Sequence, residues 1–328
     1  MDKFRTEITV DKADELIGYD SRLLFMGSCF ASNIGSYFSG NCLNALVNPF
    51  GVLYNPFSIA TSLERMINHQ SFNDEDILLH NGTHHTFYHH SQFNHVDKNK
   101  FLDAINTSLM TSTAFLEQAD VLVITFGTSW VYQYHALGMV VSNCHKYPAR
   151  DFTRYRLSVA DIVSRYHELL TTIRECNPNL RVIFTVSPVR HWKDGAHGNQ
   201  LSKATLLLAI EQLIQECYFA TYFPSYELLL DDLRDYRFFA DDMLHPSDKA
   251  VEYIREKFIE SQFDADAKSV LAQLSKLIQA AKHRPFNQSS EAHQTFVRNH
   301  IKKAEEFQTK YPALELSRIK ESFKEQMI

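Results

Sequence analysis

Residues 21–38 read SRLLFMGSCFASNIGSYF, and the fold turns on how the centre of this stretch is taken. The apolar run before Gly27 has the texture of a strand buried on both faces, and the residues behind Cys29 recur at helical spacing. A glycine at a strand end lets the backbone turn sharply, and the free N–H groups of the next helix make a site for developing negative charge. A nucleophile needs that geometry. On this fragment alone, Ser28 also reads as a helix N-cap and Cys29 as a small buried hydrophobe.

Three further runs carry the same texture outward. ADVLVITFG (119–127), LRVIFTVSP (180–188) and CYFATYFP (217–224) are short, apolar or β-branched, and bounded by Gly or Pro. Helical spacing recurs between them over 28–39, 56–69, 157–176 and 200–216. Strand-helix alternation with right-handed crossovers predicts a three-layer α/β/α sandwich around a mostly parallel, flavodoxin-like sheet. Ligands bind such sheets beyond the carboxyl ends of the strands. Gly27-Ser28-Cys29, Gly127-Thr128-Ser129-Trp130 and Ser187-Pro188-Val189-Arg190-His191 all stand at such ends.

Composition narrows the function classes. The chain has 328 residues, 45% of them hydrophobic and 22% charged, so it can bury a substantial core and is not a disordered chain. Its net charge of −6, with no long basic run, gives nucleic acid no electrostatic footprint. Five cysteines at irregular spacing, with no C-x-x-C, point to reduced thiols rather than a disulfide framework or zinc site. The opening MDKFRTEITVDKADELIGYD is too charged for a signal peptide, and no apolar stretch is long enough to span a membrane. A cytoplasmic protein without a membrane partner is the expectation.

Past residue 262 the texture becomes charged and helical, which divides the chain into an α/β domain over 1–262 and a C-terminal helical extension over 263–328. Three uses are open to the extension: packing on the sandwich, covering the site as a lid, or joining copies into a homo-oligomer. The run NGTHHTFYHHSQFNHV (81–96) is dense in histidine, but no Cys, Asp or Glu completes a ligand pattern. It reads as hairpin strands with polar faces, and no metal or other cofactor is expected.

The segment FFADDMLHPSDKAVEYIREKF (238–258) supplies the rest of a catalytic group. Asp242 and His245, three apart on a turn, can aim both side chains at one point: a nucleophile needs a base, and the imidazole needs a carboxylate to fix its tautomer. Read alone, the same residues make a His-Pro helix start.

Together these blocks resemble the SGNH or GDSL hydrolase superfamily, and MGSCFA resembles the motif that names the GSCFA family, a distant member of it. The resemblance spans residues 20–260 and implies an SGNH-hydrolase-like fold. Asp242 and His245 match the Asp and His of the last family block. Gly51 in NPFGVLYNP matches the second-block glycine, with Asn48 and Asn55 as nearby amide donors. Gly127 matches the third-block glycine, but Ser129 stands where the oxyanion-binding Asn belongs. A gap-free match of GSCF to G-D-S-L makes Cys29 the nucleophile; a shift of one makes it Ser28. A thiol paired with an imidazole at a helix N-terminus is readily lowered in pKa, which favours Cys29.

The resemblance implies cleavage of an ester, most directly an acyl (acetyl) group on a carbohydrate or related small molecule. Gly51, Asn48 and Ser129 would then stabilise the oxyanion. Arg190 at a strand end suits a substrate carboxylate or phosphate, and equally a structural ion pair. His90, in a further family-like His-Ser pair, is placed in the substrate cleft, whereas Trp130 is read as core packing before sugar platform. An acyltransferase using the same residues and a non-catalytic carbohydrate-binding module remain open.

Overall fold

The computed structural model describes residues 6–327. Five strands build a wholly parallel central sheet: β1 (Leu23–Gly27), β2 (Ala45–Val47), β3 (Val121–Phe126), β4 (Arg181–Val186) and β5 (Ala220–Phe223). Their spatial order is β2-β1-β3-β4-β5, the flavodoxin-like winding. The four expected strands are all present. The fifth, β2, is three half-buried residues at the edge, too short for a periodic signal. It pairs with β1 from Leu23 opposite Ala45.

Helices α1 (Cys29–Gly40), α2 (Pro56–Ile67), α3 (Lys98–Leu116), α4 (Val159–Cys176) and α5 (Gly195–Glu216) connect these strands. From β1 the chain steps to β2 in one direction, then returns past β1 and continues to β3, β4 and β5 in the other. Right-handed crossovers therefore send the helices to opposite faces. Leu24, Met26, Leu122 and Ile124 pack against α2–α5, while Leu23, Phe25, Val121 and Val123 pack against α1. This alternation is why the strands read as unbroken apolar runs.

Four more helices, α6 (Asp248–Gln262), α7 (Ala265–Ala281), α8 (Glu291–Lys310) and α9 (Ser317–Lys324), cover the α1 face. Leu274, Val297, Leu316 and Phe323 join the same core as Phe38 and Ile254, and Phe263 stacks on Phe38 with ring centroids 5.1 Å apart. The C-terminal region is thus packed on the sandwich. No helix among the described residues is long and apolar enough to cross a membrane.

Two small antiparallel sheets flank the main one. Thr83–His85, in the histidine-rich run, pairs with Leu78–His80 just before it, as a hairpin. A three-stranded sheet of Trp130–Tyr134, Met139–Val140 and Phe152–Arg156, absent from the sequence reading, follows β3 and walls one side of the cleft described next.

Candidate active site

The sheet order reverses between β1 and β3, and the carboxyl ends of these two strands open into a cleft of about 480 Å³. A doubly wound sheet is expected to bind ligand there, because the connections leave in opposite directions and part above the sheet. Ser28, Cys29, Asn55, Thr128, Arg190 and His245 are among its lining residues. The turn after β1 and the turn before α6 therefore face one space.

Gly27 explains why the turn can form where it does. Its φ of +131° favours glycine, and a Cβ there would meet the Thr125 carbonyl oxygen at 2.1 Å. Ser28 is 2% exposed and caps α1, its hydroxyl accepting from the Phe30 N–H at 3.3 Å. Cys29 is the first helical residue and half-buried. Burial pushes its thiol above the ordinary value, while the N–H groups of Phe30 and Cys29 and the charge of Lys203 pull it back in part. This reverses the lowered thiol expected from the sequence: the pocket that shapes the site also removes water from the sulfur.

On the opposite wall, His245 Nδ1 and Asp242 Oδ2 lie 2.6 Å apart. Asp242 Oδ1 accepts from the N–H groups of Leu244 and His245, each at 2.9 Å. These backbone bonds, followed by the bond to the imidazole, hold the carboxyl at about 2. With Nδ1–H donating to Asp242, Nε2 is left as an acceptor.

The other expected site residues divide. Arg190 and Asn55 reach the cleft. Asn48 does not line it: its Oδ1 accepts from Gly27 N–H at 2.8 Å and its Nδ2 donates to Ser32 Oγ at 2.8 Å, so the amide holds the nucleophile turn in shape. Gly51, with φ of +78°, lies where a Cβ would come within 2.4 Å of His90 Cβ; it is a packing glycine, and His90 sits behind the loop rather than in the cleft. The N–H groups of Gly127 and Thr128 donate to Tyr54 O at 2.8 and 3.0 Å, tying the loop before α2 to the end of β3. Ser129 is fully buried and turns to α5, where its N–H donates to Ser202 Oγ at 2.8 Å. Trp130 lines the cleft with the Arg154 guanidinium 4.3 Å from its ring centroid, and Arg154 pairs with Asp194.

Lys203 was missed. It is 1% exposed, and its Nζ donates to Gly127 O at 2.7 Å and Ser187 O at 2.6 Å, clamping the ends of β3 and β4. Among the described residues no carboxylate pairs with it. Burial lowers its ammonium to about 7, against the opposing pull of Cys29. The sequence offered a partial signal: Lys203, Leu206, Ile210 and Leu213 share one helix face, which sets the lysine on the apolar side of α5 without indicating its partners. His191 is the second perturbed group in the cleft, lowered to about 4 by burial and then by Lys203, and therefore neutral at pH 7.

The histidines of the 81–96 run lie outside the cleft. His89 is buried against Phe50, with its Nδ1 2.8 Å from Thr86 Oγ1, and burial lowers it to about 3.

Residues 22–258 match the family model described as "GSCFA family", and residues 274–328 match "GSCFA domain protein, C-terminal domain". No curated protein matches the chain. Among solved structures, an acetyl xylan esterase from the rumen bacterium Butyrivibrio proteoclasticus is similar at 15% identity and a TM-score of 0.32, covering 80% of this chain and 65% of that one. A carbohydrate esterase family 3 protein from Talaromyces cellulolyticus has 14% identity and a TM-score of 0.25, covering 49% of this chain and 59% of that one. The chain thus spans less than two thirds of either.

Proposed function

Since the chain belongs to the GSCFA family, we propose that it cleaves esters by nucleophilic catalysis, removing an acyl group such as acetyl from a carbohydrate or related small molecule. One observation carries this reading: the residues of the nucleophile turn and a carboxylate-oriented imidazole line the same cleft. In this mechanism Cys29 Sγ attacks the acyl carbonyl as His245 Nε2 takes the thiol proton. His245 then returns that proton to the departing alkoxide, and water, activated by the same imidazole, releases the acid from the thioester. Asp242 holds the tautomer and stabilises the imidazolium. The raised thiol makes the resting group Cys–SH, so the base acts during attack rather than through a preformed ion pair. Cys29 is preferred to Ser28 because the serine hydroxyl is committed as the cap of α1. Amide N–H groups at the start of α1 are the candidates to receive the oxyanion, together with the second Nδ2–H of Asn55, whose Oδ1 caps α2 and whose first Nδ2–H donates to Ser58 Oγ at 2.9 Å.

Hydrolysis is favoured over transfer to a sugar hydroxyl because the C-terminal helices pack on the α1 face; among the described residues none beyond His245 lines the cleft. They do not supply the cover that transfer in water calls for. Incubation with 4-nitrophenyl acetate followed by peptide mass spectrometry tests the reading. An acetyl adduct on Cys29 that turns over is expected; no release and no adduct at either Cys29 or Ser28 would sink it.

A further inference from the structure

A second cavity, also about 480 Å³, lies against the first and shares Arg190 and Trp192 with it. The Asp242–His245 turn is the partition: His245 faces the cleft, whereas Asp242, Met243 and Leu244 line the far side. Arg190 N–H donates to Leu244 O at 3.4 Å, so the loop after β4 is fastened to this turn. A group bound in the second cavity is thereby placed next to the proposed base.

The lining has an unusual balance. Trp192 is 54% and Tyr236 78% exposed, and Phe239 stands beside them, so aromatic faces are presented to solvent around a concave site. Both carboxylates of the cavity are already engaged: Asp235 pairs with Arg237 at 3.1 Å, and Asp242 holds its two backbone N–H groups and His245. Arg234 lies 3.4 Å from Asp231. The Arg190 guanidinium makes no hydrogen bond or ion pair among the described residues, although it lies where both cavities meet. A free guanidinium in a chain of net charge −6 is a local attractor for an anion, and its planar fork matches a carboxylate. Aromatic faces with a few directed polar groups suit a sugar ring.

Building on the ester-cleaving reading, we propose that this second cavity is a glycosyl subsite selecting an acidic sugar, its carboxylate held by Arg190 and its ring laid on Trp192 and Tyr236. The ester to be cleaved would project past the Asp242–His245 turn into the first cleft.

Calorimetric titration of the intact protein with methyl glucuronide, methyl glucoside and glucose 6-phosphate at low salt tests this without requiring turnover. The glucuronide is expected to bind about tenfold tighter than the glucoside, as for one charge-assisted bidentate contact. Arg190→Gln should erase that preference, and Tyr236→Ala should weaken both sugars alike, with thermal unfolding showing both variants folded. Equal binding of glucuronide and glucoside, or a preference that survives in Arg190→Gln, overturns the subsite. Tighter binding of glucose 6-phosphate overturns the carboxylate assignment. Glucuronide selectivity in a protein that cleaves no ester would leave the subsite standing and remove the reaction.

Discussion

Lys203 Nζ donates to the Gly127 carbonyl at 2.7 Å, which puts a buried ammonium beneath the cleft that Cys29 faces. Its second bond, to Ser187 O, makes it a cross-brace between two strand ends at the place where the site opens. Lys203→Met should leave both carbonyls unpaired and cost about 1–3 kcal/mol at pH 7. The folded group is lowered to about 7 from an ordinary 10.5, so between these values the unfolded chain binds the extra proton. Lys203 therefore makes stability rise with pH above about 7, by up to about 1.4 kcal/mol per unit. Urea unfolding of both proteins at pH 7, 8 and 9 should show that slope in the parent and its loss in the variant; parallel curves would count against it.

Gly27→Ala should be among the most damaging single substitutions in the protein. The added methyl meets a backbone carbonyl, not a flexible side chain, at a φ that alanine resists. A loss of about 3 kcal/mol or more, or failure to accumulate soluble protein, is expected. A variant with unchanged midpoint in thermal unfolding would mean that β1 and β3 can part at Gly27 and Thr125 more easily than the register implies.

Cys29 and Ser28 separate by their partners. Cys29→Ala should abolish turnover of an acetyl ester. Ser28→Ala should remove the α1 cap, at about 1 kcal/mol, with activity reduced but present. Because burial raises the Cys29 thiol, iodoacetamide should modify it slowly at pH 7 and faster only as pH passes its ordinary titration range. Cys144 lines the same cleft and Cys176 is exposed, so the modified site must be mapped by mass spectrometry. Fast alkylation of Cys29 at pH 6 would indicate a thiolate-imidazolium pair instead.

The Asp242–His245 pair predicts a graded response. His245→Ala should remove nearly all turnover, whereas Asp242→Asn should leave a remainder with a less well oriented imidazole. Asp242 is held at about 2, so it stays ionised at pH 4. A loss of activity between pH 7 and 4 would therefore not report the Asp242 carboxylate. Full activity in both variants would strip them of their roles.

The sequence by itself determined the strand-helix alternation and the two ends of the candidate site, whereas the edge strand β2 that sets the reversal of strand order left no signal. β1, β3 and β4 are buried on both faces, so each is an unbroken apolar run, and the turns that follow carry their chemistry within a few residues. Asp242 and His245 meet through bonds inside one turn, which makes their pairing legible from a spacing of three. Capping is equally local: Ser28, Asn55 and Ser158 stand one residue before the helices they cap.

Only the tertiary structure decided where Asn48, Gly51, Ser129 and Lys203 point. Each has its partner on another element: Asn48 with Gly27 and Ser32, Gly51 against His90, Ser129 with Ser202, and Lys203 with two strand ends. A polar side chain near a cleft can satisfy the cleft or the scaffold behind it. Which one it serves depends on the register between strands and on loop placement, and local periodicity records neither. The Cys29 thiol follows the same logic, since the helix N-terminus that lowers it is visible in the sequence, whereas the surrounding walls that desolvate it assemble from β3, β4 and the turn of His245.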